Sequence, residues 1–373
     1  MIKVPETQVE ISLGGADVTA GLESQLIAWT HTDSLKKQSD TIGLTLWDEN
    51  WQFLTQWIVP KGTPIKAAII HDNQRLECGS FWIDDIHFSI GQSGSTLELK
   101  ANSVPPGGSG KGTKQYRAWE GADLKTISDD LARDSDLELD WQIENPPKLS
   151  RVDQDGESNL EMINRLADEN GGQVTVKNGK LIVYDEQIWE QREPSFEISP
   201  RAFPYESIKL HTTAVGKFAG SQESWTSPRT GRTVDEDFIP EEKPEGAGAK
   251  LKNYRRYNRA GDDDEDIDDP DSPLGRDYEW ELGPQAIAES KGDRKTKAAT
   301  RAKKELRKAN RDEWIVDLSN MPGSIRMNAG LTFTLSQEFG KFARKYIIDQ
   351  VTHTVSRSGY KTSIKGRGVL KGY

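Results

Sequence analysis

Short runs in which apolar and polar residues alternate dominate the first hundred residues of the chain. The alternating runs cover residues 9–13, 42–46, 81–83, 88–90 and 97–99. An alternation with a period of two is typical of strands with one buried face. Turn-forming residues separate the runs, among them Gly14-Gly15, Pro60-Lys61-Gly62 and Gly91 to Gly94. The pattern predicts an all-β domain, barrel-like or sandwich-like, over residues 1–103.

The stretch from Val104 to Lys114 reads VPPGGSGKGTK. Segments rich in Pro, Gly and Ser have little to pack and considerable backbone freedom. We therefore predict a linker over residues 104–116.

A small α+β module is predicted over residues 117–195. Asp123 stands where it can cap a helix, and Ser158 with Glu161 forms an S-x-x-E capping box for a second helix that ends at Gly171. Asn178-Gly179 between two apolar runs predicts a hairpin with a type I′ turn.

Alternation resumes after Phe203, and a second β-barrel domain is predicted over residues 196–373. It is interrupted at about residues 220–283 by a segment rich in Pro, Gly, Glu and Asp, which we interpret as an acidic insertion or extended loop. Residues 291–311 form a charged helix with a narrow apolar stripe, predicted to lie on a surface or an interface. No internal repeat between the two β regions can be read from the sequence.

Composition excludes several classes of protein. Hydrophobic residues make up 34% of the chain and charged residues 29%, and no apolar run is long enough for a membrane helix. The first ten residues lack the apolar core of a secretory signal, which predicts folding in the cytoplasm. The net charge of −11 disfavours binding to phosphate backbones. Cys78, as the only cysteine, excludes an intrachain disulfide and a cysteine-based zinc cluster.

Two segments superficially match ligand-binding motifs. Residues 107–113 resemble a P-loop, but Pro105 stands where the first Gly belongs and Gly112 where Ser or Thr should follow the lysine. The acidic run 262–269 has Ile267 at the position where a calcium loop needs Gly. We interpret the first segment as linker and the second as a solvated acidic run.

Catalytic and metal-binding signatures fail in the same way. His31, His71, His87, His211 and His353 have no ligand spacing and are expected on strand faces. Asp84 and Asp85 are adjacent on a strand, so their side chains point to opposite faces. Cys78 has no identifiable histidine partner. No catalytic, cofactor-binding or metal-binding residue is predicted, and no cofactor.

Tryptophan is abundant, with eleven residues. Large aromatic side chains serve in cores, at protein interfaces and as stacking surfaces for sugars. We expect core and interface roles for the following residues: Trp29, Trp47, Trp51, Trp57, Trp82, Trp119 and Trp141.

Several segments, in order along nearly the whole chain, resemble the phage late control protein D family. Residues 9–19 and 40–48 resemble its opening strands, and Gly79 to Asp84 resembles its G-x-F-x-V-D segment. Residues 154–171 resemble its Q-x-x-E-S-D-x-x-F-L-x-R-L-A helix, with Met162 and Ile163 in place of Phe-Leu. Val351 to Thr362 resembles its closing hairpin. The acidic insertion departs from the family pattern.

The resemblance implies a non-enzymatic baseplate hub of a contractile tail, related to the hub parts of type VI and extracellular injection spikes. It implies a β-rich α+β fold in which two tube-protein-like β-barrel domains flank the module, and a homotrimer with pseudo-sixfold symmetry. The expected partners are the hexameric tail tube, the trimeric central spike, other baseplate proteins and a tape-measure protein, with DNA only in transit. The expected location is the virion tail baseplate, without membrane insertion. No residue can be assigned to these interfaces.

Two alternatives stay open at this point. The tryptophans and the compact module also fit a cell-wall carbohydrate-binding or carbohydrate-active tail protein. A transcriptional regulator is disfavoured by the net charge and by the absence of a basic recognition helix.

Overall fold

The protein is mostly β-sheet with few helices. The computed structural model describes residues 6–35, 39–57, 59–92, 94–106, 110–149, 151–201, 205–215, 217–226, 233–238, 240, 251–256, 303–304 and 306–372. Within these residues no helix is long and apolar enough to cross a membrane.

The first β region consists of strands joined by short turns and two single-turn helices. Its elements are β1 Thr7–Leu13, β2 Ala16–Asp17, α1 Thr19–Leu22, β3 Leu26–Ser34, β4 Thr41–Trp47, α2 Gln52–Thr55, β5 Pro64–His71, β6 Gln74–Gly91 and β7 Gly94–Asn102. Most of the alternating apolar residues predicted to face a core do so, and Leu44, Leu46, Phe81 and Ile83 are at most 2% exposed, whereas Ile90 at the end of β6 is 56% exposed. Burial of these side chains is the main stabilising term for such a domain.

The module after it has two small sheets and three helices. Its elements are β8 Gln115–Glu120, α3 Leu124–Arg133, β9 Glu138–Gln142, β10 Arg151–Glu157, α4 Asn159–Glu169, β11 Gln173–Lys177, β12 Lys180–Tyr184 and α5 Glu186–Glu190. β8 pairs with β10, and β12 lies between β11 and β9. The apolar faces of α3 and α4 close the core of the module.

The local predictions for this module are confirmed. The Asp123 carboxylate accepts a hydrogen bond from the Thr126 amide and caps α3. Ser158 and Glu161 form both hydrogen bonds of a capping box at the start of α4. Asn178 and Gly179 have φ values of 47° and 74°, the left-handed conformation that a type I′ turn needs.

The segment predicted as a linker packs at both ends. Val104 is 3% exposed and belongs to the core of the module. The Gly110 carbonyl accepts a hydrogen bond from the Leu160 amide at 3.2 Å. β8 begins at Gln115, so strand structure starts inside the predicted linker range. Composition alone does not show these contacts, because backbone groups make one of them and a single apolar residue makes the other.

The second β region contains the remaining strands. They are β13 Phe196–Ile198, β14 Ser207–Thr212, β15 Gly220–Thr226, β16 Thr233–Phe238, β17 Leu251–Arg256, β18 Trp314–Pro322, β19 Thr332–Leu335, β20 Lys345–Ser356 and β21 Gly359–Gly368. The predicted closing hairpin with its turn at Ser358-Gly359 is confirmed as β20–β21.

Residues 220–283 were predicted as an insertion or an extended loop, and the extended-loop alternative is wrong for the first part of this range. β15 pairs antiparallel with β16 and parallel with β17, which makes a separate three-stranded sheet. The sequence lacks apolar alternation there, and backbone hydrogen bonding between strands needs none. The acidic run 262–269 lies outside the described residues.

The C-terminal end of the predicted 291–311 helix is helical at residues 303–304 and 306–310. It lies against the module rather than on an open surface, since Leu306 and Arg307 are buried and the Lys308 ammonium group pairs with Asp168 at 2.5 Å. The stripe positions Ala298 and Ala302 lie outside the described residues.

The two β regions share one continuous sheet of thirteen strands. Its main path runs in the order β14-β18-β21-β20-β3-β4-β7-β6-β5-β1-β2, with β13 and β19 attached beside β20. The pairing of β3 with β20 joins the two regions, although these strands are more than three hundred residues apart in the sequence.

The eight adjacent strands from β14 to β6 repeat one topology. β3-β4-β7-β6 and β14-β18-β21-β20 are two four-stranded antiparallel blocks. In each block the two strands that come first in the sequence lie next to each other. The hairpin that follows in the sequence places its second strand beside them and its first strand after that. A further strand extends each block beside its fourth strand, β5 beside β6 and β19 beside β20. No repeat can be read from the sequence, but the strand topology of the two β regions is repeated.

The hairpins β6–β7 and β20–β21 match residue by residue. Each closes on a two-residue turn, between Gly91 and Gly94 and between Ser356 and Gly359. Each has a register shift at the same distance from that turn, after Ile83 and after Ile348. Aligned in this way, the pairs Ile83 and Ile348, Asp84 and Asp349, Gly94 and Gly359, and Lys100 and Lys365 are identical. The matched glycines both have positive φ values, 118° and 105°.

The cap of α4 provides a test of the local folding argument. Ser158→Ala removes the oxygen that accepts from the Glu161 amide, and we expect it to lower the free energy of unfolding by about 1 kcal/mol. Ser158→Thr keeps the hydroxyl and should stay close to the native value. Chemical denaturation followed by circular dichroism measures both variants, and an equal loss in both would argue against the capping contribution.

Candidate functional site

The β3–β20 junction is where the two β regions meet. The strands are antiparallel, and Trp29 stands opposite Val355 while His31 stands opposite His353. These four side chains face the core, since none is more than 7% exposed. On the other face Thr32 stands opposite Thr352. The junction is therefore built like the interior of a sheet, with one apolar and one polar face.

The two histidines at the centre of the junction form a stacked pair. Their ring centroids are 5.8 Å apart and their planes differ by 12°. His353 Nε2 donates to the Met327 carbonyl at 3.1 Å, which leaves Nδ1 to accept from the Tyr360 hydroxyl at 2.7 Å. Within the described part of the chain, neither ring nitrogen of His31 has a hydrogen-bond partner. Phe81 packs edge-on against the His31 ring.

Both histidines are held neutral. Burial, reinforced by the neighbouring His353, lowers the pKa of His31 to about 3. Burial also lowers the pKa of His353 to about 4, although the Asp33 carboxylate favours its charged form. A proton on either ring would place a charge in the core beside the other ring. The pair thus acts as packing rather than as an acid–base couple.

The end of β3 connects the junction to the module. The Asp33 carboxylate pairs with the Lys177 ammonium group of β11 and also accepts from the Ala329 amide at 2.8 Å. Asp40 accepts from the Ser34 amide at 3.0 Å. Burial raises the pKa of Asp40 to about 7, with Asp33 adding to this effect and Lys177 opposing it. One lysine thus serves two buried carboxyl groups that belong to the first β region.

Further contacts bring all three parts of the chain together. The Ser34 carbonyl accepts from the Thr175 hydroxyl at 3.0 Å. The rings of Tyr184 and Trp189 stack at 4.5 Å. Gly330 lies against Trp189, where a Cβ would come within 2.3 Å of the indole, and its φ of 90° also requires glycine. Buried side chains from the first β region, the module and the second β region pack together here.

A buried ion cluster lies beside this contact, defined by Glu186, Glu190, Arg307, Arg367 and Asp349. The Arg367 guanidinium is 2.6 Å from a carboxylate oxygen of both Glu186 and Glu190, and 3.3 Å from Asp349. Arg307 pairs with Glu190 at 2.5 Å. Both arginines and both glutamates are buried. Burial opposes the charge on Arg367, but the surrounding carboxylates outweigh it and raise its pKa above the ordinary value.

The ion cluster joins four elements of the chain. Glu186 and Glu190 come from α5, Arg307 from the 306–310 helix, Asp349 from β20 and Arg367 from β21. Removing one partner of a buried pair leaves an uncompensated charge, which is strongly destabilising. The cluster therefore fixes how α5 and the 306–310 helix lie against the sheet.

A cavity of about 340 Å³ opens next to this cluster. It is lined by Ser34, Asp312, Ile315, Asp317, Asp349, Gln350, Lys365, Gly366 and Arg367. Across the described residues, no group of three His, Cys, Asp or Glu side chains is placed to hold a metal ion. The charged groups lining the cavity include members of the ion cluster, which are already paired with each other.

The remaining candidates from the sequence are dispersed. All five histidines lie on strands as predicted, with His71 on β5, His87 on β6 and His211 on β14. His71 contacts Thr7 at 2.8 Å. Cys78 is buried, and burial raises the pKa of its thiol to about 12, so the nucleophilic thiolate is disfavoured. Residues 107–109 of the P-loop-like segment lie outside the described residues.

The tryptophans divide between core and surface. Trp29 is fully buried at the junction. Trp47 and Trp51 are 37% and 52% exposed, and Trp47 packs against Gly94 at the β6–β7 turn. The others that the sequence singled out are partly buried: Trp57, Trp82, Trp119 and Trp141.

Sequence reasoning missed the junction and the ion cluster. The long-range pairing of β3 with β20 has no local signal. The cluster has one, since Glu186 and Glu190 are four residues apart, as are Arg307 and Arg311, and each pair therefore projects from one face of a helix. Complementary charges at the same spacing on two short helices could have indicated that they meet.

Comparison with known proteins indicates the same family as the resemblance in the sequence. The family model described as "Phage tail baseplate hub (GPD)" matches residues 82–359. The probable baseplate hub protein of Escherichia phage P2 is 25% identical over 182 residues, which cover 46% of this chain and 43% of that protein. The match therefore spans less than half the length of this curated relative.

Solved structures share the fold over the whole chain. The 43 kDa tail protein of prophage MuSo2 from Shewanella oneidensis has a TM-score of 0.68 at 12% identity and covers 98% of this chain and 99% of its own. A chain of the Francisella PdpA–VgrG complex has a TM-score of 0.57 at 10% identity, covering 100% of this chain and 59% of its own.

The fold and the family match together define a β-rich tail protein of the phage type. The chain belongs to the phage tail baseplate hub (GPD) family, which confirms the resemblance to late control protein D. Its relatives are components of the virion tail baseplate.

The histidine pair predicts an acid-dependent loss of stability. The folded-state pKa values of both rings lie below the ordinary value of 6.5, so the folded state binds fewer protons than the unfolded state. The contribution of the two neutral rings to the free energy of unfolding is complete above pH 6.5 and is lost as the pH falls towards 4. His31→Leu removes one such ring, and its free energy of unfolding relative to the native chain should rise by about 3 kcal/mol between pH 6.5 and 4.

Urea denaturation at a series of pH values measures this difference. Phe81→Leu, a change in the neighbouring core residue that adds or removes no titrating group, should lower stability by a similar amount at every pH. The account of the pair is contradicted if the His31→Leu difference is also independent of pH. Asp40 contributes with the opposite sign, and its contribution cancels when variant and native chain are compared.

The ion cluster predicts a large effect of one substitution. Arg367→Met removes one of the two arginines that contact both Glu186 and Glu190 and leaves Arg307 as the other, so the cluster keeps an excess of buried negative charge. We expect a loss of about 3–5 kcal/mol in the free energy of unfolding. Arg151→Met, which removes an exposed ion pair with Asp153, should have no measurable effect. Thermal and chemical denaturation compare the two, and equal effects would show that the cluster does not stabilise the fold.

Proposed function

We propose that the chain is a structural, non-enzymatic hub that joins the hexameric tube of a contractile tail to its trimeric central spike. The observation that carries the proposal is the repeated four-stranded block, β3-β4-β7-β6 and β14-β18-β21-β20. Two similar blocks in each chain give a trimer six similar units. Such a trimer presents sixfold geometry to the tube and threefold geometry to the spike.

The β3–β20 junction supports this proposal because it sets the two blocks side by side. All neighbouring strands from β14 to β6 are antiparallel, so equivalent strands of the two blocks run in the same direction. The two blocks are therefore related by a displacement across the sheet that keeps the strand direction, and not by a twofold axis that would reverse it. When such a sheet curves around a bore, this displacement becomes a rotation about the axis of the ring.

The polar face of these blocks fits the lining of a bore. Half-buried threonines occupy it across the junction, with Thr30 and Thr32 opposite Thr354 and Thr352. The hydroxyl groups are wetted by water, and the lysines on the same face, Lys361 and Lys365, are accompanied by Asp317 opposite Lys365. The net charge of −11 favours passage of a polyanion without adhesion. We propose that DNA contacts the hub only in transit.

In this proposal the two β regions and the module have different structural roles. The blocks form the ring, and the module is attached to it through Lys177 and the ion cluster. Buried charge pairs resist sliding because displacement leaves ions unpaired in a medium of low polarity. Partners such as the spike, the tube, other baseplate proteins and a tape-measure protein would then contact a rigid unit.

One observation favours the alternative of a cell-wall carbohydrate-binding tail protein. Trp47 and Trp51 are both partly exposed, and Trp51 has a φ of 60°, an unusual value for a large side chain. Exposed aromatic rings stack on sugars as well as on proteins. Binding to cell-wall fragments that Trp51→Ala abolishes would favour this alternative.

Native mass spectrometry tests the proposed function directly. We expect the full chain to form a homotrimer, alone or with the spike protein of the same particle, and the trimer to bind the end of the tail tube in electron micrographs. A chain that stays monomeric alone, with spike and with tube contradicts the proposal.

A further inference from the structure

Each long hairpin of the repeat has a matched site at the end away from its turn. The extra residue at the register shift is Asp84 in β6–β7 and Asp349 in β20–β21. The Asp84 carboxylate accepts from the Asn102 side chain at 3.1 Å, and Asp349 pairs with Arg367, the counterpart of Asn102, at 3.3 Å. The same contact is therefore made twice. The first-block site and the second-block site are defined by matched residues: Trp82, Asp84, Asp85 and Asn102 in the first, and Ile347, Asp349, Gln350 and Arg367 in the second.

The module of the same chain covers the second-block site. Arg367 pairs with Glu186 and Glu190 of α5. Ile347 packs in one apolar cluster with Trp189, which also belongs to α5. Neither Arg367 nor Ile347 is more than 1% exposed. The end of the second block thus serves as a docking surface for a helix.

The first-block site is open by comparison. Asp84 and Asp85 are exposed, and Trp82 and Asn102 are half-buried. Trp82 is the counterpart of Ile347, which is fully buried. Among the elements that the structure describes, none buries the two carboxylates as α5 buries Arg367. The end of the first block is therefore a sheet face without a partner, at the position where the second block binds a helix.

The register shift brings Asp84 and Asp85 to the same face. Asp85 stands opposite Lys100, and the Asp84 carboxylate contacts the Asn102 side chain. Lys100 and Asn102 are two residues apart on β7 and therefore share a face. The expectation from the sequence that Asp84 and Asp85 point to opposite faces is wrong, because a β-bulge interrupts the alternation of the strand.

No cation accompanies the two carboxylates among the described residues. Lys100, which stands opposite Asp85, pairs with Glu98 at 3.3 Å instead. In the second-block site the neutral Gln350 takes the position of Asp85. Adjacent carboxylates repel each other, and a lysine or arginine side chain from a partner would relieve this repulsion. The ring of Trp82 beside them can pack against the aliphatic stem of such a side chain.

The first-block site lies on the polar face of the sheet, at the end that meets the module. Asn102 stands opposite Thr41, which stands opposite Thr32 of the polar face. The next residue, Ser103, donates its hydroxyl to the Val176 carbonyl of the module at 2.7 Å. The polar face lines the bore in the proposed function, so a partner that closes the bore on the side of the module reaches this site.

We propose that the first-block site binds a basic segment of the trimeric spike, one segment for each chain of the hub. This inference rests on the proposed function and names the residues that hold the spike. A trimer of the chain has six matched sites, and its own modules cover the three in the second blocks. The three open sites are related by threefold symmetry, which matches a trimeric spike and not a hexameric tube.

Neutral substitutions test the site in the full chain. The double variant Asp84→Asn, Asp85→Asn removes both charges, and the new amide oxygen at position 84 can still accept from Asn102. We expect its affinity for the spike protein of the same particle, measured by calorimetry, to fall at least tenfold and to depend less on salt concentration. The control Glu10→Gln, Glu77→Gln makes the same change in net charge at solvent-accessible partners of Arg75 and should keep the native affinity.

The outcomes separate this inference from the proposed function. Native affinity for the spike in the Asp84→Asn, Asp85→Asn variant, or an equal loss in the control, overturns the site and leaves the hub proposal standing. Loss of tube binding with spike binding retained also overturns it, because the site would then serve the tube. A native trimer that binds no spike contradicts the proposed function itself.

Photocrosslinking provides a second measurement that does not depend on charge. Asp85→Cys labelled with a benzophenone should crosslink to the spike on irradiation of the assembled complex. Lys361→Cys places the same label on the polar face near the β20–β21 turn, at the opposite end, and should not crosslink to the spike. The native Cys78 is buried and should not take the label. Crosslinks from Lys361→Cys alone would place the spike at the other end of the bore and contradict the proposed site.

Discussion

The antiparallel pairing of β3 with β20 is the interaction on which the rest of this structure depends. It joins strands from the two ends of the sequence and turns two β regions into one sheet. The pairing closes a loop of more than three hundred residues, so its entropic cost must be met by other contacts. The stacked histidines, the buried tryptophan and the Asp33–Lys177 pair concentrate such contacts at the junction.

Buried charges near the β3–β20 junction also join distant segments of the chain. Lys177, Arg307 and Arg367 each connect segments from different parts of the chain. Apolar packing alone tolerates small shifts between elements, whereas a buried ion pair is favourable only in a narrow range of geometries. This distribution of charge fits the proposed hub, whose parts would keep fixed relative positions.

Much of the local structure can be read from the sequence. The caps at Asp123 and Ser158, the Asn178-Gly179 turn and the alternating strands depend on neighbours within a few residues, and all were predictable. The shared sheet and the topological repeat were not, because strand pairing between distant segments leaves no periodic trace. The strands β15 to β17 were missed since their residues do not alternate in polarity. The family resemblance supplied the function class, but it assigned no residue to an interface.

The arrangement of the two blocks around the bore is the feature whose measurement tests the account most directly. Electron cryo-microscopy of the hub bound to its tube would show the arrangement of strands around the bore. The account predicts six similar units around the bore, in which the blocks β14-β18-β21-β20 and β3-β4-β7-β6 of three chains alternate. A hub in which the two blocks occupy different radii would contradict it.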